Sequence, residues 1–118
     1  MDELTIAIAT SGLTRALKQG QVNIDGLRLN HIEIEPITQA MRRMVRGLEF
    51  DICEMAITTY LCARAHGKPF TAIPVFVTRN FHHGAIFRTS DSDIREPKDL
   101  EGRTVGVNRG YTVTTGIW

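Results

Sequence analysis

Apolar residues come in short blocks separated by polar turns. Residues 4–9 form the first block, with Leu4, Ile6 and Ile8 on one face of an expected strand. Thr10 and Ser11 follow as caps for a short helix over 13–18, which Gly20 ends. Asp25-Gly26 marks a turn into a second strand, 27–34, whose alternation changes phase at His31, as a bulge or a change of burial would require. The clearest periodicity comes next. Ile37, Ala40, Met41, Met44, Val45 and Leu48 make one helical stripe, with Pro36 at the first helical position. Gln39, Arg42, Arg43 and Arg46 fall off the stripe, and the arginines read as a solvated face that also suits the negative end of the helix dipole.

The remaining blocks continue the alternation of strand and helix. Residues 50–56 read as a third, mostly buried strand. A helix then starts at Thr58 or Thr59, runs to Ala65 and ends at Gly67. Residues 70–77 read as a fourth strand, with Pro74 confining it to an edge or a bulge. Residues 85–88 form a fifth, residues 89–93 a turn, 97–100 one helical turn, Glu101-Gly102 a tight turn and 104–107 a sixth strand. Asn108-Arg109-Gly110 leaves that strand, and a helix begins at Thr112. This order predicts an α/β fold, a mostly parallel sheet flanked by helices. Ligands of such sheets sit beyond the carboxyl ends of the strands.

Composition narrows the picture. At 118 residues the chain has the length of one domain, and such a chain hides roughly two-thirds of its surface on folding. Fourteen Lys and Arg against 13 Asp and Glu leave a net charge of +1, with no basic field to favour nucleic acid. The acidic start Met1-Asp2-Glu3 and the brief apolar block behind it do not make a secretory leader. No apolar run approaches the ~18 residues of a membrane helix. The expected setting is cytoplasmic, with no membrane partner. Cys53 and Cys62 are not spaced as a C-x-x-C pair, and their apolar neighbours predict buried free thiols.

The strand ends concentrate the candidate chemistry: Thr10-Ser11-Gly12, residues 54–59, residues 78–83 and residues 108–112. Hydroxyls and free backbone N–H groups at a helix start suit a carboxylate or a phosphate, which marks Ser11, Thr58, Thr59 and Thr112; ordinary helix capping explains the same residues. Arg79-Asn80-Phe81-His82-His83 is the most suggestive cluster. Arg79 offers a planar fork for a carboxylate, and His82 and His83 are the side chains most readily tuned for proton transfer near neutral pH. On an extended chain adjacent histidines diverge, so only one of the two faces a given atom. Glu54 ends a buried strand, where a carboxylate needs a partner: helix N–H groups, an arginine, or a proton of its own. There is no G-x-G-x-x-G, P-loop, G-x-S-x-G or H-E-x-x-H motif, and no close-spaced metal ligands, so neither cofactor nor metal is expected.

Several stretches resemble a known family. They are Thr14-Arg15-Ala16-Leu17, Phe50-Asp51-Ile52 with Glu54-Met55, Thr58-Thr59-Tyr60-Leu61 and Ile73-Pro74-Val75-Phe76. Arg79, Phe81 and His83 continue the pattern. Ile94-Arg95-Glu96-Pro97-Lys98-Asp99-Leu100, Gly102, Val105-Gly106-Val107, Tyr111, Thr114 and Trp118 complete it. Together they resemble the first part of 4,5-dihydroxyphthalate decarboxylase-like proteins, which share the type II periplasmic-binding-protein fold. Two positions depart from that pattern: no acidic residue precedes Thr14-Arg15, and His82 stands where an arginine is usual.

The resemblance implies a two-lobed protein with ligand between the lobes. Residues 1–118 would be a single, incomplete α/β lobe, with the crossover and second lobe lying past Trp118. It further implies a decarboxylase of an aromatic dicarboxylate, inactive as this fragment alone. Arg79 would hold a carboxylate, His83, Glu54 or His82 would supply the proton, and Ser11, Thr58, Thr59, Tyr111 and Thr112 would bind substrate. The alternative is a small-anion solute-binding protein of an ABC transporter. Either way the partner is a small aromatic or carboxylate ligand, and the exposed interlobe face predicts a homo-oligomer of the fragment.

Overall fold

In the computed structural model, residues 2–79 and 81–107 are described, the side chains of His82 and Ala85 excepted. The chain divides into two units, Met1–Thr78 and Arg79–Trp118.

The first unit is built on a three-stranded parallel sheet of order β2-β1-β3. β1 (Asp2–Ala7) is central. It pairs with β2 (Leu27–His31) from Asp2↔Leu27 to Ile6↔His31, and with β3 (Ile52–Cys53) at Ile6↔Ile52 and Ala7↔Cys53. Leu4, Ile6 and Ile8 were expected on one covered face. Instead Ile6, Ala7 and Ile8 are all buried, because a central parallel strand is covered on both sides. β2 stops at the phase change at His31. Beyond it Ile32 stays tied to β1 through its N–H on the Ile6 carbonyl, and Ile32 and Ile34 pack on the core.

Between the strands lie α1 (Arg15–Lys18), α2 (Ile37–Gly47) and α3 (Ile57–Ala65). The α2 stripe lies as its spacing predicts: Ala40 and Met44 are buried with Ala7 and Phe50, and Ile37 packs on that cluster. Arg42, Arg43 and Arg46 are exposed. Two details differ. Pro36 is the N-cap rather than the first helical residue, and Leu48 leaves the helix as a left-handed C-cap (φ 51°), 42% exposed. α3 starts at Ile57, so Thr58 and Thr59 lie inside its first turn and Ala56 is the cap. It ends as its glycine predicts. Gly67 takes φ +74°, its N–H meets the Arg64 carbonyl, and the Lys68 N–H meets the Ala63 carbonyl in a Schellman closure.

The three later strands do not form. Residues 70–77, 85–88 and 104–107 contain no strand. β3 offers a neighbour only two paired residues, and Pro74 has no N–H to give. The chain turns locally instead, with the Val75 N–H on the Ile73 carbonyl at 2.7 Å. In the second unit Ala85 closes a 3₁₀ helix, His82–Ala85, rather than opening a strand. Pro97–Leu100 forms the expected helical turn, also 3₁₀. The Asp99 carboxylate accepts from the N–H groups of Arg95 and Glu96 at its start. Glu101-Gly102 makes the expected tight turn, Gly102 at φ +71° and the Arg103 N–H on the Leu100 carbonyl at 3.0 Å. The helix expected from Thr112 lies outside the described residues.

Candidate functional site

The carboxyl end of the sheet in the first unit gathers the polar groups. After Ala7 the chain leaves β1 through Ile8 and Ala9 into a loop closed by two hydroxyls. The Ser11 N–H donates to Thr14 Oγ1 at 2.8 Å, while Ser11 Oγ accepts from the N–H groups of Leu13 (3.2 Å) and Thr14 (3.3 Å). This is the reciprocal arrangement of a capping box, with threonine in place of the usual acid. Thr14 is buried and spends its own proton on the Ala9 carbonyl at 2.6 Å. Ser11 therefore serves as the cap of the turn leading into α1.

Glu54 stands one residue past β3. Its N–H continues the ladder to the Ala7 carbonyl at 2.9 Å. Its carboxylate then bridges two segments. Oε2 accepts the Ala9 N–H at 3.0 Å, and Oε1 accepts the Thr78 hydroxyl at 3.3 Å. The partners of the half-buried carboxylate are thus the loop after β1 and the Thr78 hydroxyl, not a helix start or an arginine. Next to it, burial first and the Glu54 charge second push the Cys53 thiol up to about 11. Both thiols are free but neither is fully buried as expected: Cys53 is half-buried, and Cys62 is exposed because α3 turns only Ala63 fully inward.

One residue at this edge carried no sequence signal for a site. Lys18, the last residue of α1, keeps only 9% of its side chain exposed. Its ammonium donates to the Ile8 carbonyl at 3.1 Å and to Thr10 Oγ1 at 2.7 Å, and pairs with Glu33 at 2.6 Å. A lysine ending a polar helix reads as solvated; only the fold back of α1 over the end of β1 brings it inside. Thr10 reads as a cap, and the structure makes it the lysine's acceptor.

Of the expected site residues, Ser11, Glu54, Thr58 and Thr59 belong to this unit, at the ends of β1 and β3 and in the first turn of α3. Arg79 and His83 belong to the second unit, and both are exposed. His83 stacks against Phe81, ring centroids 4.8 Å apart and planes 36° from parallel. The adjacent histidines lie in a 3₁₀ turn rather than an extended segment, where successive side chains still diverge. The His82 side chain, Tyr111 and Thr112 lie outside the described residues. No helix among the described residues is long and apolar enough to cross a membrane.

Two curated proteins match nearly the whole chain. Both are named 4,5-dihydroxyphthalate decarboxylase. The one from Comamonas testosteroni is 33% identical over 117 residues, 98% of this chain and 35% of its own length. The one from Pseudomonas putida is 33% identical over 121 aligned positions, 100% of this chain and 46% of its own length. The chain thus spans between a third and a half of the relatives it matches. Residues 8–115 match the family described as NMT1/THI5 like, from the end of β1 through every candidate site residue. The parallel α/β unit and this match agree: the chain belongs to the NMT1/THI5-like family.

Proposed function

We propose that this chain supplies part of a small-ligand site in a decarboxylase acting on an aromatic dicarboxylate such as 4,5-dihydroxyphthalate. The observation that carries the reading is 33% identity, across essentially the whole chain, to two proteins of that name. Loss of CO2 leaves an electron pair on the ring carbon, and an acid must deliver a proton there. His83 is the first choice for that acid, with Glu54 and His82 behind it. Arg79 is suited to grip the second carboxylate through its planar fork. Ser11, Thr58, Thr59, Tyr111 and Thr112 complete the set of substrate contacts, some polarising the ring hydroxyls so that charge can enter the ring. Because the chain spans a third to a half of those relatives, its share of the site is partial, and the isolated polypeptide is expected not to turn over. Its proposed setting is the cytoplasm, and its proposed partner besides the ligand is a second copy of itself.

The test is the conversion of 4,5-dihydroxyphthalate to 3,4-dihydroxybenzoate and CO2 by the protein containing this chain. Arg79→Ala and His83→Ala are each expected to lower turnover by about 100-fold or more, the usual worth of a positioned acid or charge. Normal turnover in both variants overturns their roles.

One observation favours a second reading, a small-anion binding protein without catalysis. Both Glu54 oxygens already accept hydrogen bonds, from Ala9 and Thr78, so that carboxylate clamps the sheet edge rather than waiting for a proton. Saturable binding of phthalate-type anions with no CO2 release would select it.

A further inference from the structure

Lys18 has three N–H donors and three acceptors around it: the Ile8 carbonyl, Thr10 Oγ1 and Glu33. Its side chain is 91% buried, yet its anionic partner, the Glu33 side chain, is 67% exposed and so weakly neutralising. The consequence falls on Thr10. A hydroxyl that accepts from an ammonium at 2.7 Å has one of its two lone pairs occupied, and its own proton points away from that ammonium. Among the described residues nothing accepts that proton. Thr10 is exposed at the carboxyl end of the central strand, next to Ala9, whose N–H is held by Glu54. A hydroxyl polarised by a cation on its oxygen is a stronger donor than a free one.

We infer that Lys18 is a positioning residue that fixes the Thr10 hydroxyl as a donor, aimed at an anionic oxygen of the ligand. The inference rests on the ligand site proposed for this sheet edge and adds to it a direct contact, Thr10, and the group that orients it. Thr10 recognises an acceptor such as a carboxylate oxygen and disfavours a ligand N–H at the same place. Lys18 itself touches no ligand; it acts through Thr10 and keeps the end of β1 in register through Ile8.

The experiment is a nuclear magnetic resonance titration of the protein containing this chain with 4,5-dihydroxyphthalate, run as a double-mutant cycle. Thr10→Val is expected to weaken binding at least tenfold, the scale of one hydrogen bond to a charged group, and Thr10→Ser to keep wild-type affinity. Lys18→Met is expected to weaken binding in the wild-type background and to cost nothing further on top of Thr10→Val, because its effect passes through that hydroxyl. Additive losses overturn the relay, since a lysine acting by charge or by general stability would weaken both backgrounds alike. Should Lys18→Met fail to fold, the two Thr10 variants decide: equal binding by wild type and Thr10→Val overturns the inference while leaving the site standing. Absence of saturable binding by the wild type overturns the site and the inference together.

Discussion

At the scale of single residues, the clearest electrostatic feature joins β1 to the start of β3. Asp51 Oδ2 accepts the Thr5 hydroxyl at 2.7 Å and the Thr5 N–H at 2.8 Å, while its own N–H returns to Thr5 Oγ1 at 3.1 Å. The hydroxyl first and the backbone N–H second favour the ionised form and hold the Asp51 carboxyl below its ordinary value of 3.8. An ionised Asp51 therefore adds stability above the unfolded value, and the contribution disappears as pH falls through the lower folded value. Acid unfolding followed by circular dichroism should show a flatter loss between pH 5 and the acid limit in Asp51→Asn than in wild type; parallel curves would remove Asp51 from the acid response. The thiols offer a second measurement. With a pKa of about 11, Cys53 carries roughly one thiolate in a thousand at pH 8, while Cys62 is exposed. One thiol per chain should react rapidly with Ellman's reagent under native conditions, and Cys62→Ser should abolish that phase.

At the scale of elements, α2 is where spacing and packing agree most closely. Met44 meets Ala7, Ala40 and Phe50 in the core, so Met44→Ala should lower stability by about 2–4 kcal/mol in urea unfolding. Arg42→Ala, on the exposed face, should stay within about 0.5 kcal/mol. Leu48→Gly should stabilise by about 0.5 kcal/mol: a left-handed φ of 51° strains a branched side chain that buries little. The same contrast explains what was legible in the sequence. Helical stripes and glycine stops are local, so α2, the Gly67 closure and the Glu101-Gly102 turn can be read from spacing. A strand is not local. Residues 70–77 have strand-like composition, but a strand exists only where a neighbour offers its N–H and C=O groups, and β3 offers few. Lys18 was illegible for a related reason: its burial is made by the fold of α1 back over β1. Glu54 was marked correctly as a carboxylate needing partners, yet the partners lie 45 and 24 residues away along the chain.

At the scale of the whole molecule, large apolar side chains stay in contact with water. In the first unit Ile73, Val75 and Phe76 are each more than 60% exposed, and in the second Phe81 and Phe87 exceed 80%. Surfaces of this kind mark places of association. The isolated chain should be at least a dimer by light scattering, and Phe76→Ser with Phe87→Ser should shift it toward monomer; a wild-type monomer at working concentration refutes the expectation. The sheet order has a different consequence, for opening motions. Among the described residues β1 alone has a strand on each side, so its last amides are shielded by two ladders while β2 and β3 keep an open edge. In native-state hydrogen exchange the protons of Ile6 and Ala7, where both ladders run, should be the last to leave. The polar loop that follows at Thr10 and Ser11 thus springs from the slowest-exchanging stretch of the unit. Its anchor holds still while the neighbouring edges breathe.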